Sequence, residues 1–465
     1  MKIVNDHISN RRSWLQKTGA GMGMLGACQV LADSSEGLAD PRDQTKLNGT
    51  HFPPRAKRVI HLFMNGGPFQ ADLFDPKPAL QKYEGQRPAS ADLLTERPTG
   101  GLLPSPFKFE PRGQSGLPIS ELLPQLSQHA DDLCVLRSMH ADNPNHGPAL
   151  LQLNNGTILP TRPSMGAWFL YGLGTENENL PGYLVLCPGR PVRFSILWNS
   201  AFLPSEYQGT YVNHSSLDPD TMLPNLKNRS WSHDVQSQQL SLLRDLNEGY
   251  LRSRNDHPSF GARLQSMETA FRMQSEARDA FDLNLETKAT LDSYGEGHFA
   301  KGCLLARRMV ERGVRFVQLY YGNGQPWDTH SNHDKTVPGL CKQIDQPISA
   351  LLTDLKQRGL LEDTLVVWGG EFGRTPTSEN GSGRDHNHHG FTMWMAGGGV
   401  RGGMSYGNTD EFGFKAVENK VHVHDLHATI LHLLGLDHER LTFRHSGRDF
   451  RLTDVFGRVV RDIIA

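Results

Sequence analysis

Short unbroken apolar runs alternate along this chain with longer stretches in which apolar residues recur at helical spacing. The run Arg58–Met64 is apolar but for Arg58 and His61, and it stops at Asn65-Gly66-Gly67-Pro68, the punctuation of a loop leaving a buried strand. A Pro- and Gly-rich stretch to about residue 118 is too irregular for long elements. Ile119 to Met139 pairs an amphipathic helix with a strand, Leu133–Leu136. From Ser232 to about Leu291 the chain is polar, rich in Gln, Arg and Glu, with apolar residues at helical spacing, and it reads as a helical insertion. Helix and strand then alternate: helix His298–Arg312, strand Arg315–Tyr321, helix Val337–Arg358, strand Asp363–Trp368, strand Phe391–Met395 and helix His424–Leu434. This order predicts an α/β fold, a doubly wound, mostly parallel sheet with helices on both faces, whose ligands gather at the carboxyl ends of strands.

The amino-terminal segment follows a different logic. Asn10-Arg11-Arg12-Ser13-Trp14-Leu15 sets a paired arginine before bulky apolar residues, and a weakly apolar, Gly- and Ala-rich stretch runs from Thr18 to Ala32. That is the layout of a twin-arginine export signal, too short and too Gly-rich to span a membrane. Leu25-Gly26-Ala27-Cys28 also fits a lipobox, so two outcomes stay open: a lipoprotein anchored through acylated Cys28, or a soluble periplasmic protein cleaved near Ala39. The expected division is a signal over 1–39, a linker over 40–57, and a single α/β domain over 58–465 with the insertion at about 232–291. Twin-arginine export carries folded proteins, and a common reason to fold first is a cofactor loaded in the cytoplasm.

Composition narrows the choices. A net charge of −2 over 465 residues gives no basic excess for nucleic acid. Beyond Cys28, the cysteines Cys134, Cys187, Cys303 and Cys341 are widely spaced and form neither a zinc ribbon nor a disulfide scaffold, although one disulfide stays open. Histidine is the outlier at 21 residues, and many cluster beside Asp, Glu and Asn. Neutral imidazole with carboxylate is the donor set of zinc, manganese and similar ions.

These clusters sit at strand ends. After Tyr321 comes a loop holding Asp328, His330, Asn332 and His333. After Trp368 comes Gly369-Gly370-Glu371-Phe372-Gly373-Arg374. Arg384-Asp385-His386-Asn387-His388-His389-Gly390 leads into the next strand.

The run Asp363-Thr-Leu-Val-Val-Trp-Gly-Gly-Glu371-Phe-Gly resembles the alkaline phosphatase and sulfatase superfamily, as do His389-Gly390 with the Met393-Trp-Met-Ala stretch and the helix opening at His424. The closer resemblance is to domain-of-unknown-function family 1501, exported proteins without an assigned activity. It is carried by Asn65-Gly-Gly-Pro-Phe-Gln-Ala-Asp72-Leu-Phe-Asp75, Trp327-Asp328-Thr-His330 and Arg384-Asp-His386-Asn-His388-His389-Gly390. The resemblance implies a site of one or two divalent ions. Asp328 matches its middle acidic ligand, with His330 or His333 as imidazole partner; Glu371 stands where Asp is usual, and Phe372 where a His or Asn often follows. Asn65 replaces the usual first Asp, so Asp72 or Asp75 would serve from further along that loop, and His140, His386, His388 and His389 complete the candidate ligands. His146 falls at the nucleophile position, where it could take a phosphoryl group, act as a base, or bind metal. Ser138 is the only nearby hydroxyl, and no Cys-x-Pro-x-Arg sulfatase motif exists.

Two functions follow from these residues. One is an exported metal-dependent hydrolase of phosphate or sulfate esters, with zinc as the first expectation and manganese or calcium as alternatives. Arg374 or Arg384 would clamp the anion of a small ester or a sulfated or phosphorylated glycan. The other is a metal-stabilised binding protein on the same scaffold without turnover.

Overall fold

The computed structural model describes residues 49–216, 218–222, 230–253 and 258–465, so Arg11, Arg12, Cys28 and the whole stretch read as an export signal lie outside the described residues. The chain divides into two units, Met1–Thr45 with Ser446–Arg448 and Lys46–His445 with Asp449–Ala465, and everything below concerns the second.

The apolar runs become strands β1 (Arg58–Phe63) and β2 (Leu133–His140), followed by helices α1 (His146–Asn155) and α2 (Met165–Leu173) and short strands β3 (Tyr183–Leu186) and β4 (Thr210–Val212). The polar stretch forms helices α3 (His233–Ser253) and α4 (Pro258–Phe281). Then come α5 (His298–Glu311), β5 (Phe316–Tyr320), α6 (His333–Gln357), β6 (Thr364–Gly369), β7 (Gly373–Glu379), β8 (Gly383–Asn387), β9 (Phe391–Ala396), β10 (Met404–Tyr406), β11 (Val421–His422) and α7 (Val423–Leu433).

Nine of these strands make one sheet in the order β10, β2, β9, β6, β1, β5, β3, β4, with β11 also on β2. Strand β1 lies between β5 and β6 and runs parallel to both, Ile60 facing Val317 and Val366. All pairings are parallel except those of β9, which runs antiparallel to β2 and β6.

Alternation along the strands builds two cores. Ile60, Leu62, Val317, Val366 and Trp368 pack on one face with Cys303 and Leu304 of α5 and Ile344 and Leu351 of α6. Val59, Phe63, Phe316, Val367 and Met395 pack on the other with Leu150 of α1, Trp168 of α2 and Ile430 of α7. Each fully buried aliphatic side chain contributes roughly 1.5–3 kcal/mol, so the sheet is a rigid base for the loops at its carboxyl edge. The doubly wound, mostly parallel sheet with helices on both faces and a helical insertion is the predicted architecture.

Four details differ from the sequence reading. The helix expected before β2 is a 3₁₀ segment, Leu126–Asp132, preceded by a small hairpin of Phe109–Arg112 with Leu117–Ser120. The stretches around Arg374 and Arg384, read as loops, are the paired strands β7 and β8. Strands β3 and β4 were not anticipated, because apolar runs of three or four residues give too little periodicity to read, nor were helices α1 and α2, whose ten and nine residues span fewer than three turns. Strand β9 is antiparallel, so the residues before it, not after it, reach the sheet's carboxyl edge, where Phe391 faces Met139.

No helix among the described residues is long and apolar enough to cross a membrane. Cys134, Cys187, Cys303 and Cys341 are all buried and free.

Candidate metal centre

Three loops converge at the carboxyl edge because their backbones can touch. Gly66 and Gly67 follow β1 with φ of 114° and 85°. A Cβ on Gly66 would lie 2.5 Å from the Asp328 backbone nitrogen, and one on Gly67 would lie 2.6 Å from the Phe372 carbonyl oxygen. Only glycine permits both the conformation and the approach. Asn65 then clamps the loop after β5: its side chain donates to the Gly322 and Gly324 carbonyls, and its backbone carbonyl accepts from Trp327 N at 3.1 Å. The residue found where the resemblance expects a ligand therefore holds in place the loop that carries Asp328. The β7–β8 hairpin docks on that loop through Arg384 N to Thr329 O (3.1 Å) and His333 N to Ser382 O (2.8 Å).

The result is a cluster of His146, Asp328, His330 and His386, whose ligand atoms all lie within 4.8 Å of one another. His146 is the first residue of α1, whose N-cap Asn145 accepts from Gly147 N. Its Nε2 lies 3.2 Å from Asp328 Oδ1, that of His386 3.2 Å and that of His330 2.9 Å, while the two last nitrogens are 3.1 Å apart.

Behind each imidazole stands a carboxylate. His146 Nδ1 bonds Glu371 Oε1 at 2.7 Å, His386 Nδ1 bonds Glu96 Oε2 at 2.5 Å, and His330 Nδ1 bonds Glu379 Oε2. An ionised carboxylate can only accept, so each Nδ1 carries a proton, and a ring that holds no second proton turns its Nε2 lone pair toward Asp328. Three such lone pairs and a carboxylate facing one another repel unless a cation, a proton or a metal ion, lies among them. This arrangement, imidazole oriented by an outer carboxylate, is how metal-binding histidines are held. His146 Nε2 is moreover buried without a hydrogen-bond partner. The donor set fits a divalent ion.

Electrostatics agree. Burial works against charge on the His146 ring, but Asp328 and Glu371 outweigh it and raise its pKa; Asp328 and Glu379 do the same for His330. Burial would raise the Asp328 pKa, yet the three imidazoles and Arg374 hold it far below the carboxylate range. Phe372 packs its ring 4.8 Å from His146 and 4.7 Å from His386, fixing the planes of both.

The other candidate residues lie elsewhere. Glu371 is one position out from the cluster, accepting from Gly66 N as well as facing His146. Asp72 is buried against His333 Nε2 at 2.7 Å, and His333 Nδ1 meets Thr329 Oγ1 at 2.6 Å. Asp75 pairs with Lys77 and accepts from Thr409. The His140 and His422 rings pack tilted with centroids 5.0 Å apart. His388 packs tilted against His389 at 3.9 Å, and His389 Nε2 bonds the Leu94 carbonyl. Arg374 and Arg384 are fully buried. Arg374 reaches Asp328 Oδ1 at 2.7 Å and donates to the Gly66 and Gly67 carbonyls; Arg384 donates to those of Leu103, Pro104 and Thr375 and stacks on Phe69. Ser138 Oγ donates to Asn419 O at 2.7 Å.

Glu96, Glu379 and Asp385 were not among the sequence candidates. For Glu379 a signal existed: Asn380-Gly381, both at positive φ, marks a hairpin tip, and a hairpin folds the Glu379 strand onto the one that carries His386, setting Glu379 opposite Gly383. Glu96 lies in an irregular loop and had no signal.

A family described as "Protein of unknown function (DUF1501)" matches residues 56–464. No curated protein matches the sequence. Among solved structures, the chain is similar to the sulfatase PsFucS1 from Pseudoalteromonas sp., at 13% identity and TM-score 0.34 over 82% of this chain and 68% of that one. It is also similar to the alkaline phosphatase of the Antarctic bacterium TAB5, at 10% identity and TM-score 0.34 over 83% and 99%. A third is the phosphonate monoester hydrolase SpPMH from Silicibacter pomeroyi, at 14% identity and TM-score 0.32 over 73% and 71%.

Proposed function

The chain belongs to the DUF1501 family, whose description names no activity, and from its site we propose that it is a metal-dependent hydrolase of phosphate or sulfate esters, exported by the twin-arginine route. The observation that carries this reading is the convergence of three carboxylate-backed imidazoles on Asp328. His146, His330 and His386 would hold the ion through Nε2 and Asp328 through Oδ1. When bound, a divalent ion polarises an ester oxygen and lowers the pKa of coordinated water toward 7. Three imidazoles favour zinc, and manganese suits the same set.

The remaining residues position. Arg374 steadies Asp328 and the Gly66–Gly67 turn from the buried side. The carboxylates of Glu96, Glu371 and Glu379 fix ring orientation and tautomer. Asp328, with 23% of its side chain exposed, marks the side from which a small anionic ester or a sulfated or phosphorylated glycan would approach.

One observation favours the alternative of a binding protein without turnover: the hydroxyls of Ser138 and Thr329 are both turned to other partners. On the hydrolase reading the nucleophile is therefore water. Elemental analysis of the purified full chain, with a screen of aryl phosphates, phosphodiesters and sulfates, separates the two. The hydrolase reading expects a bound divalent ion and turnover, with turnover and the ion held at Asp328 both lost in His386→Ala. Metal without turnover would favour the binding protein, and absence of metal would remove both.

A further inference from the structure

Next to the cluster, the β7–β8 hairpin carries two buried carboxylates that the reading above does not fully use. Glu379, the last residue of β7, is 2% exposed, and Asp385 of β8 is 0% exposed. Regular pairing would send Asp385 and His386 to opposite faces of the hairpin, but the register of β8 against β7 shifts between Arg384 and His386. This irregularity lets consecutive residues reach the same neighbour. His386 Nε2 lies 3.1 Å from His330, and ligand atoms of Asp385, Glu379 and His330 lie within 4.8 Å of one another. Bulges beside functional sites re-aim side chains in this way.

The charges here do not balance. Arg97 Nη1 lies 3.1 Å from Glu379 Oε1, and its side chain is 49% exposed; the buried Arg374 also acts on Asp385 but is paired with Asp328 at 2.7 Å. The Arg97 backbone nitrogen donates to Asp385 Oδ2 at 2.6 Å. Asp385 Oδ1 is buried without any hydrogen-bond partner. Two carboxylates withdrawn from water therefore have one half-exposed guanidinium and a share of the Arg374 charge that Asp328 already engages, with one oxygen unpaired, an arrangement that is costly unless another positive charge is supplied.

We propose that Glu379 and Asp385 hold a second divalent cation, beside His330 and distinct from the ion among the imidazoles. Its ligands are carboxylate oxygens completed by water, which selects a hard cation of the manganese, magnesium or calcium class. His330 supplies an edge of the site and no ligand atom to it, because its Nδ1 keeps its proton on Glu379 while its Nε2 faces the first ion. Glu379 would then join the two centres, orienting His330 for one ion and ligating the other. The inference rests on the metal-centre reading above for its neighbour and on Asp385 for itself.

The test is equilibrium dialysis of the chelator-treated full chain against Mn²⁺ alone, with bound metal measured for wild type, Asp385→Asn and the double variant His146→Ala/His386→Ala. Asp385→Asn keeps size and shape and removes the charge. The proposal expects two ions in wild type and one in each variant. One ion that disappears in the double variant and persists in Asp385→Asn would overturn the second site and leave the first. One ion that persists in the double variant and disappears in Asp385→Asn would support the second site and remove the first. No bound ion in wild type would overturn both. Should Asp385→Asn fail to fold, anomalous diffraction from Mn²⁺-soaked wild-type crystals decides: a peak beside Asp385 Oδ1 supports the site, and its absence with a peak at Asp328 overturns it.

Discussion

His146, His330 and His386 each have a carboxylate behind one ring nitrogen and Asp328 before the other. His140, His388 and His422, from neighbouring stretches of the same chain, share no such centre. Burial pushes the pKa of His140 and that of His388 down to about 4, and His388 Nδ1 has no partner. His422 uses one nitrogen to cap α7 and the other on Asp142, whose pKa it depresses to about 2. Both regions look alike by histidine density. What separates them is convergence: a ligand imidazole is held at its far nitrogen so that its near one is free and aimed, while a packing imidazole is merely buried.

The largest effect should come from removing the centre of the first region. Asp328→Ala leaves Arg374, which is fully buried, without its carboxylate, and breaking a buried pair of this kind costs about 3–5 kcal/mol. Denaturant unfolding of the metal-free protein measures it, and a loss below about 1 kcal/mol would show that Asp328 does not organise the site.

Next come paired substitutions across the two regions. Metal that binds only the folded state stabilises it by about 2.7 kcal/mol at a hundredfold excess over Kd. His386→Ala should cut that metal-dependent rise in melting temperature to what the ion proposed at Asp385 supplies, whereas His388→Ala and His140→Ala should retain it in full. Equal loss in all three would erase the distinction.

Smaller effects are expected one layer out. Glu371→Gln and Glu96→Gln should each weaken metal binding about 10- to 100-fold with the fold unchanged, since outer carboxylates orient and do not ligate. Isothermal titration of both variants reads this directly; unchanged affinity would mean that the carboxylates are incidental.

The smallest effect is a change of sign with pH. In the metal-free protein the raised pKa values of His146 and His330 give stability that is present below the ordinary 6.5 and lost as pH rises through the raised values. The depressed Asp328 adds stability above the ordinary 3.8, so the metal-free cluster is most stabilising between the two. Metal requires neutral imidazoles, so the loaded form strengthens as pH rises through the upper end of that window. The gap between melting temperatures with metal and with chelator should therefore widen from about pH 5.5 to about pH 8. A constant gap would contradict the assignment of these imidazoles as ligands.

The parts that were legible from sequence are those encoded locally. Strands β1, β5 and β6 announce themselves as apolar runs, Asp328 and His330 stand in a motif after β5, and His386 stands in one before β9. The resemblance brought His146 to the site. It did not reveal that His146 opens a helix, because Asn145-His146-Gly147-Pro148 reads as loop until the Asn cap is seen to accept from Gly147. His388 and His389 could not be told from His386, since only the direction of β9 and the shifted register of β8 decide which imidazole faces Asp328. Glu96 is 290 positions from His386, and no short-range rule couples them.

The most direct test of the account is an anomalous difference map from crystals of the metal-loaded protein, collected at the absorption edge of the ion that elemental analysis identifies. The account predicts a peak bonded to Nε2 of His146, His330 and His386 and to Oδ1 of Asp328. A peak lying instead among His140, His388 and His422, or no ordered ion at Asp328, would contradict it.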